Sequence, residues 1–420
     1  MIFILANFSR SVVEVEPPRS HFTFQKLLEA YCACRRRKRK TANAAKIELN
    51  FERELLKLER ELQERTYKPG QSICFVVTKP KPREIFAADF RDRIVHHLLV
   101  RYLEPIFEKK FIFHSFACRK NKGSHCAIKF LKKFLRSATK NFSLPAHYLQ
   151  VDISAFFMSL NKNILFENIK KYVKNPEILW LAETIIFHDP TDNFYRKGNH
   201  NLAKLIPKNK TLFGVPASQG LPIGNLTSQF FANVYLNELD QFIKHELKAR
   251  YYLRYVDDLV LIHKNPEQLK IWKKEISRFL SSELKLILHP GKSVQQSVYK
   301  GINFVGFIVK PGYSLIRRRV ANNLKEKLKK FNSLPVPASP ELFERDLQNI
   351  LAVINSYCGQ FRHADTLRLR KSICVKHFGI LKSYFEPANA DFLSFRMKNS
   401  LKKTLRSQHF IVEVEPPRST

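Results

Sequence analysis

Asp257 and Asp258 stand side by side between two apolar runs, in Arg254-Tyr255-Val256-Asp257-Asp258-Leu259-Val260-Leu261-Ile262. Each run has the composition of a β-strand. Neighbouring strand residues face opposite ways, so the two acids cannot share one strand face. A tight hairpin between Tyr255 and Leu259 is the expected solution, with both acids on its turn. Paired carboxylates suit a hard divalent cation such as Mg²⁺, which takes carboxylate oxygens together with substrate phosphates. An Asp-Asp turn is also ordinary loop chemistry, so a third acid carries weight. Leu149-Gln150-Val151-Asp152 reads as a strand ending in an acid and is followed by Phe156-Phe157. Three carboxylates converging from adjacent strand ends could hold two Mg²⁺ ions about 3.5–4 Å apart. With a basic groove beside it, that arrangement serves nucleotidyl transfer, a reaction catalysed by positioning and electrostatics.

The elements that must position these acids follow from periodicity. Phe22 to about Thr66 reads as helical, interrupted by six consecutive cations from Arg35 to Lys40. Ile73 to Thr78 reads as a strand, and the prolines of Lys79-Pro80-Lys81-Pro82-Arg83 hold a basic hairpin extended. Ile94 to Ile106 reads as an apolar helix, and a basic turn from Phe116 to His125 opens another that runs to about Leu135. Residues 164–210 read as helix and loop. Gly220-Leu221-Pro222-Ile223-Gly224-Asn225 then leads into a helix through Ile243, with Asn225 or Thr227 as its cap. Beyond the acid pair come a strand from Leu284 to His289, Pro290-Gly291-Lys292, and an apolar hairpin from Gly301 to Val309. Lys325 to about Ser383 reads as basic helix.

Composition bounds the partners. The 420 residues carry 73 Lys plus Arg against 37 Asp plus Glu, a net charge of +36. So basic a globular chain is expected to meet a polyanion, with counterion release supplying much of the affinity. No apolar run approaches the roughly 18 residues of a membrane span, and Met1 to Phe8 lacks the features of a signal peptide. The seven cysteines are scattered, as free thiols in a reducing compartment would be. Val13-Glu14-Val15-Glu16-Pro17-Pro18-Arg19-Ser20 recurs as Val412 to Ser419. A duplicated nucleotide segment translated at both ends accounts for it, and deleting both tails is expected to leave activity intact.

Taken in order, Asp152 with its aromatics, Gly224-x-x-x-Ser228-Gln229, Tyr255-Val256-Asp257-Asp258, Pro290-Gly291-Lys292 and Gly301 to Val309 resemble the successive motifs of reverse transcriptases. The resemblance covers about residues 22–385. It implies an α+β right-hand polymerase. Helices and fingers would occupy 21–145, an antiparallel-sheet palm 146–310 with a helical insertion near 164–214, and a helical thumb 311–390, between tails 1–20 and 391–420. It further implies that Asp152, Asp257 and Asp258 bind two Mg²⁺ ions, with the Ile153 backbone carbonyl as an additional ligand. Arg83, and Lys81 with it, would contact the triphosphate, Phe157 would exclude a 2′-hydroxyl, and Ile223, Gly224 and Gln229 would border the nucleotide. Lys292 would lie near the incoming nucleotide as a proton donor, and Gly301, Phe304 and Gly306 would form the primer-holding hairpin.

Ile223 where most such enzymes have Gln, and Gln229 where most have Pro, resemble the reverse transcriptases of diversity-generating retroelements. Those copy a template-repeat RNA with frequent errors at adenines. The implied partners are template RNA, the cDNA/RNA hybrid, deoxynucleoside triphosphates and a small basic accessory protein; the implied setting is a bacterial or phage-encoded cytoplasmic enzyme without a membrane. About 35 residues follow the resemblance's end near residue 385, which the resemblance implies is too few for an RNase H domain. A phage-defence or retron-type reverse transcriptase, and a nucleic-acid-binding scaffold with a retired polymerase fold, are the alternatives.

Overall fold

A computed structural model of the chain describes residues 20–36, 42–335 and 339–401. Both copies of the terminal repeat, apart from Ser20, and four of the six cations at 35–40 lie outside these residues. The chain divides into two compact units. One comprises 1–112, 153–241 and 278–287, the other 113–152, 242–277 and 288–420, so residues 146–310 contribute to both.

The first unit is mainly helical. Phe24–Arg35, Phe51–Gln63, Phe90–Glu108, Lys162–Lys170, Pro176–Phe187 and Leu226–Gln241 pack on one another. Phe90–Glu108 starts where the Asp89 side chain accepts from the Arg91 amide, and it buries Ile94, Val95, Leu98, Leu99 and Leu103. His96 is buried in the same helix, and its Nδ1 finds no hydrogen-bond partner among the described residues. A small sheet completes the unit: Ser72–Val77 pairs antiparallel with Arg83–Ala87 and parallel with Phe194–Arg196. The basic hairpin thus forms as expected, while the strand at 194–196 falls inside the stretch read as helix and loop.

The second unit holds a four-stranded antiparallel sheet in which Tyr251–Tyr255, Asp258–His263, His147–Asp152 and Val294–Ser297 lie side by side. Leu259, Val260, Leu261 and Ile262 are all buried, the signature of an interior strand covered on both faces. Each such side chain contributes up to about 1.5–3 kcal/mol of burial. The helix Ser124–Ala138 packs on this sheet. A second antiparallel sheet contains Ile302–Phe304, Phe307–Val309 and Ser314–Ile316. The helices Arg318–Asn332, Pro340–Phe361 and Leu367–His377 follow.

Two expectations are corrected. Leu284 to His289 keeps the alternating burial of a strand, but among the described residues it joins no sheet ladder beyond a single bridge at Leu288; its backbone is tied singly, as where the His289 amide donates to the Asp152 carbonyl at 2.7 Å. The stretch from 391, expected as a tail, supplies the strand Phe395–Met397, which pairs with Phe385–Pro387 and buries Phe395 and Met397.

Candidate active site

The sheet of the second unit aligns two of the acids. His147–Asp152 pairs antiparallel with Asp258–His263, and its last residue, Asp152, is the register partner of Asp258. Directly opposed residues point to the same face with Cβ atoms about 4.5–5.5 Å apart. The same parity places Tyr148, Gln150 and Asp152 with Ile262, Val260 and Asp258 on one face. Tyr148, Val260 and Ile262 belong to the apolar core at one end of that face. Gln150 and the two acids make its other end polar.

The acid hairpin is tighter than expected. Tyr255 pairs with Asp258, so the turn is Val256-Asp257 alone, and Asp258 opens a strand instead of sitting on the turn. The reason is register: one more loop residue would flip the Leu259–Ile262 run to the opposite face. Val256 takes a φ of 55°, an outlier for a β-branched residue. A fully buried arginine braces it. Arg254 donates from one guanidinium nitrogen to the Val256 carbonyl at 3.0 Å and from the other to Ser115 Oγ at 3.1 Å.

The electrostatics follow from burial. Desolvation pushes the Asp258 carboxyl up to about 7, and the charge of Asp257 adds to the shift. Gln150 Nε2, donating to both Asp258 oxygens at 2.9 and 3.1 Å, works against it, as does the charge of Arg317. The Lys292 ammonium donates to Asp152 Oδ2. Among the described residues no three His, Cys, Asp or Glu side chains are gathered closely enough to hold a metal ion. Asp152 and Asp258 stand as a register pair, with Asp257 on the adjoining two-residue turn. Like charges at contact distance repel, and here Asp152 is matched by Lys292 and Asp258 by Gln150. The residues fit Mg²⁺ in chemical type, as hard oxygen donors. Their arrangement is not a closed cage.

The hairpin at 301–309 adjoins this pair within the same unit. Its turn, Val305-Gly306, has φ of 39° and 92°, the left-handed pair of a tight two-residue hairpin. Gln150 Nε2 also donates to the Asn303 carbonyl at 3.0 Å, Tyr148 Oη donates to the Gly301 carbonyl at 3.2 Å, and Phe304 meets the Tyr255 ring edge-on. Arg317 Nε donates to Asn303 Oδ1.

The remaining residues singled out in the sequence belong to the first unit. Lys81 and Arg83 are exposed at the hairpin between Ser72–Val77 and Arg83–Ala87. Phe157 and Ile223 pack against the same small apolar cluster, which contains Cys74, Phe86, Met158 and Leu212. The Ile223 carbonyl accepts from the Phe86 amide at 3.0 Å. Gly224 has a φ of 130°, and a Cβ there would meet Ile85 Cγ2 at 2.8 Å and the Phe86 carbonyl oxygen at 3.1 Å, so the close approach requires glycine. Asn225 does not cap the next helix; its Oδ1 accepts from the Ala88 amide at 3.0 Å. Gln229 is exposed in the first turn of Leu226–Gln241.

Sequence reasoning missed Gln150, Arg254, Asn303 and Arg317. Gln150 carried a signal, because the position two residues before an acid on a strand shares its face. Arg254 carried another, as a lone cation inside an apolar strand run. Asn303 and Arg317 carried none.

The description "Reverse transcriptase (RNA-dependent DNA polymerase)" belongs to the family model that matches residues 68–309, more than half of the chain. Protein YkfC of Escherichia coli (strain K12) is 24% identical over 283 residues, covering 60% of this chain and 68% of that protein. Nuclear intron maturase 1, mitochondrial, of Arabidopsis thaliana is 24% identical over 237 residues, 48% of this chain and only 31% of the maturase. Among solved structures, apo telomerase from Candida tropicalis aligns with a TM-score of 0.44 at 13% identity, over 83% of this chain and 66% of that one. On the family match, this chain belongs to the reverse transcriptase (RNA-dependent DNA polymerase) family.

Proposed function

We propose that this chain extends a DNA primer on an RNA template, with Asp152, Asp257 and Asp258 at its chemical centre. The observation that carries the reading is the register that sets Asp152 opposite Asp258 with Asp257 on the adjoining two-residue turn. In this reading the chain is a right-hand polymerase, with fingers over 21–145, palm over 146–310 and thumb over 311–390. The three aspartates, with the Ile153 carbonyl, would hold two Mg²⁺ ions, which when bound lower the pKa of the attacking hydroxyl and neutralise charge on the leaving pyrophosphate. The Asp258 carboxyl, held near neutrality by burial, is a site whose charged form gains from a cation. Lys292, beside Asp152, supplies a proton to the leaving group. Arg83 and Lys81 grip the triphosphate, Arg by two parallel donors. Phe157 stands against a 2′-hydroxyl and selects deoxynucleotides, and the Gly301–Gly306 hairpin supports the primer.

Within this class the reading extends to a diversity-generating retroelement, copying a template-repeat RNA into mutagenised cDNA. Ile223 supports it. Packed in an apolar cluster with Phe157, its side chain offers shape and no hydrogen bond, so a mispaired base forfeits less there. The partners are template RNA, the hybrid product, deoxynucleoside triphosphates and a small basic accessory protein.

Primer extension on an RNA template with Mg²⁺ tests the reading. The wild-type chain is expected to extend the primer, and Asp257→Ala and Asp258→Asn to reduce extension by at least about a thousandfold. Equal extension by wild type and both variants would remove the aspartates from the chemistry.

A further inference from the structure

The helix Ser124–Ala138 has two faces of opposite character. Ala127, Ile128, Leu131, Leu135 and Ala138 are buried in the core of the second unit. His125, Lys129, Lys132, Lys133 and Arg136 fall, at 3.6 residues per turn, within about 100° of arc on the other side. Four of them, His125, Lys129, Lys133 and Arg136, are exposed. The helix contains no acidic residue, and among the described residues none of its Lys and Arg side chains forms an ion pair.

The start of the helix meets the segment that carries Arg362 and His363. The imidazole of His125 stacks on that of His363 with ring centroids 3.6 Å apart. Burial, with His125, Arg362 and Lys132 bearing on the same imidazole, holds His363 below the usual histidine range. Like charges assembled without a counter-charge raise the free energy of the isolated protein. A polyanion laid along them removes that cost and releases its own counterions.

Geometry narrows the polyanion. From His125 to Arg136 the ridge runs about 17 Å at 1.5 Å per residue, longer than one phosphate group or nucleotide needs. Lipid fits poorly, because the apolar face that would enter a bilayer surface is committed to the core. Double-helical RNA is recognised by shape and by backbone contacts of this kind. We propose that the basic face of Ser124–Ala138, with Arg362 and His363 at its end, binds the backbone of a double-helical segment of RNA outside the stretch being copied. The choice of RNA rests on the polymerase reading above; the charged surface does not.

The full chain is titrated against a fluorescent, 3′-blocked RNA hairpin of about 20 base pairs, over a range of salt. Lys129→Gln/Lys133→Gln/Arg136→Gln is expected to bind about tenfold more weakly near 0.1 M salt, with a log–log salt slope shallower by about 2–3. The charge-retaining Lys129→Arg/Lys133→Arg is expected to bind as wild type, which separates charge from folding. On a short unstructured template, the triple variant is expected to extend a primer within twofold of wild type. Unchanged affinity and slope, equal loss in the charge-retaining variant, or equally tight binding of a DNA duplex would overturn the proposal. If wild type binds the hairpin through this face yet extends no primer, the polymerase reading falls and this surface stands.

Discussion

Gln150 donates from one amide nitrogen to both carboxylate oxygens of Asp258, at 2.9 and 3.1 Å, and to the backbone carbonyl of Asn303 at 3.0 Å. One side chain therefore ties the central strand to the acid hairpin and to the hairpin that follows. Gln150→Met keeps the length and removes the donors, leaving a half-buried carboxylate and a solvent-exposed carbonyl without that partner. The expected cost is about 1–3 kcal/mol in urea denaturation. Primer extension is expected to fall about tenfold, mostly in kcat. Full activity would show that Asp258 needs no orienting donor.

Arg254 is fully buried and serves two acceptors on different segments, the Val256 carbonyl and Ser115 Oγ. Arg254→Met should destabilise the fold by about 2–4 kcal/mol, since both acceptors lose a charged donor. Arg254→Lys should recover part of that, because an ammonium lacks the forked geometry to reach both. Chemical denaturation ranks the three proteins; equal stability of the Met and Lys variants would contradict the brace.

His96 gives a dependence on pH. Burial, with the nearby charges of His188, His97 and Arg93, pushes its imidazole down to about 3. In the unfolded chain it titrates near 6.5. The unfolded state therefore takes up a proton first, and stability is lost as pH falls from about 6.5 towards 3. Between pH 7 and pH 5 this one group is expected to cost about 2 kcal/mol. His96→Gln should flatten that limb of the stability curve, measured by urea denaturation at each pH. Parallel curves for the two proteins would reject the assignment.

In the proposed reading, Ile223 sets fidelity. Ile223→Gln should lower misincorporation opposite template adenines severalfold, with rates at the other bases little changed, as read by sequencing the cDNA. An unaltered error spectrum would separate the apolar residue from the error rate.

Much of the second unit's sheet was legible from residue pattern. The Tyr251–Tyr255 and Asp258–His263 strands are dense in apolar residues, and the alternation of Gly301 to Val309 marked a hairpin that formed. What escaped depends on partners distant in sequence. Leu284 to His289 has a strand's alternation, but among the described residues no neighbouring strand offers it a ladder. Whether Asp258 sits on the turn or opens the strand depends on a valine taking a left-handed conformation, which local preference argues against. The brace that permits it, Arg254, reaches back to Ser115. Lys292 on Asp152 was anticipated only as a neighbour of the nucleotide, since a pairing between residues far apart along the chain leaves no periodic trace.

His147–Asp152 is an interior strand, hydrogen-bonded on both sides, to Asp258–His263 and to Val294–Ser297. Transplanting the acid loop alone into a foreign scaffold would carry two carboxylates and abandon the third. The smallest portable piece of this carboxylate arrangement is a set of three aligned strands with no freedom to slide. Mutational drift can then reshape the loops around it far more readily than the alignment itself.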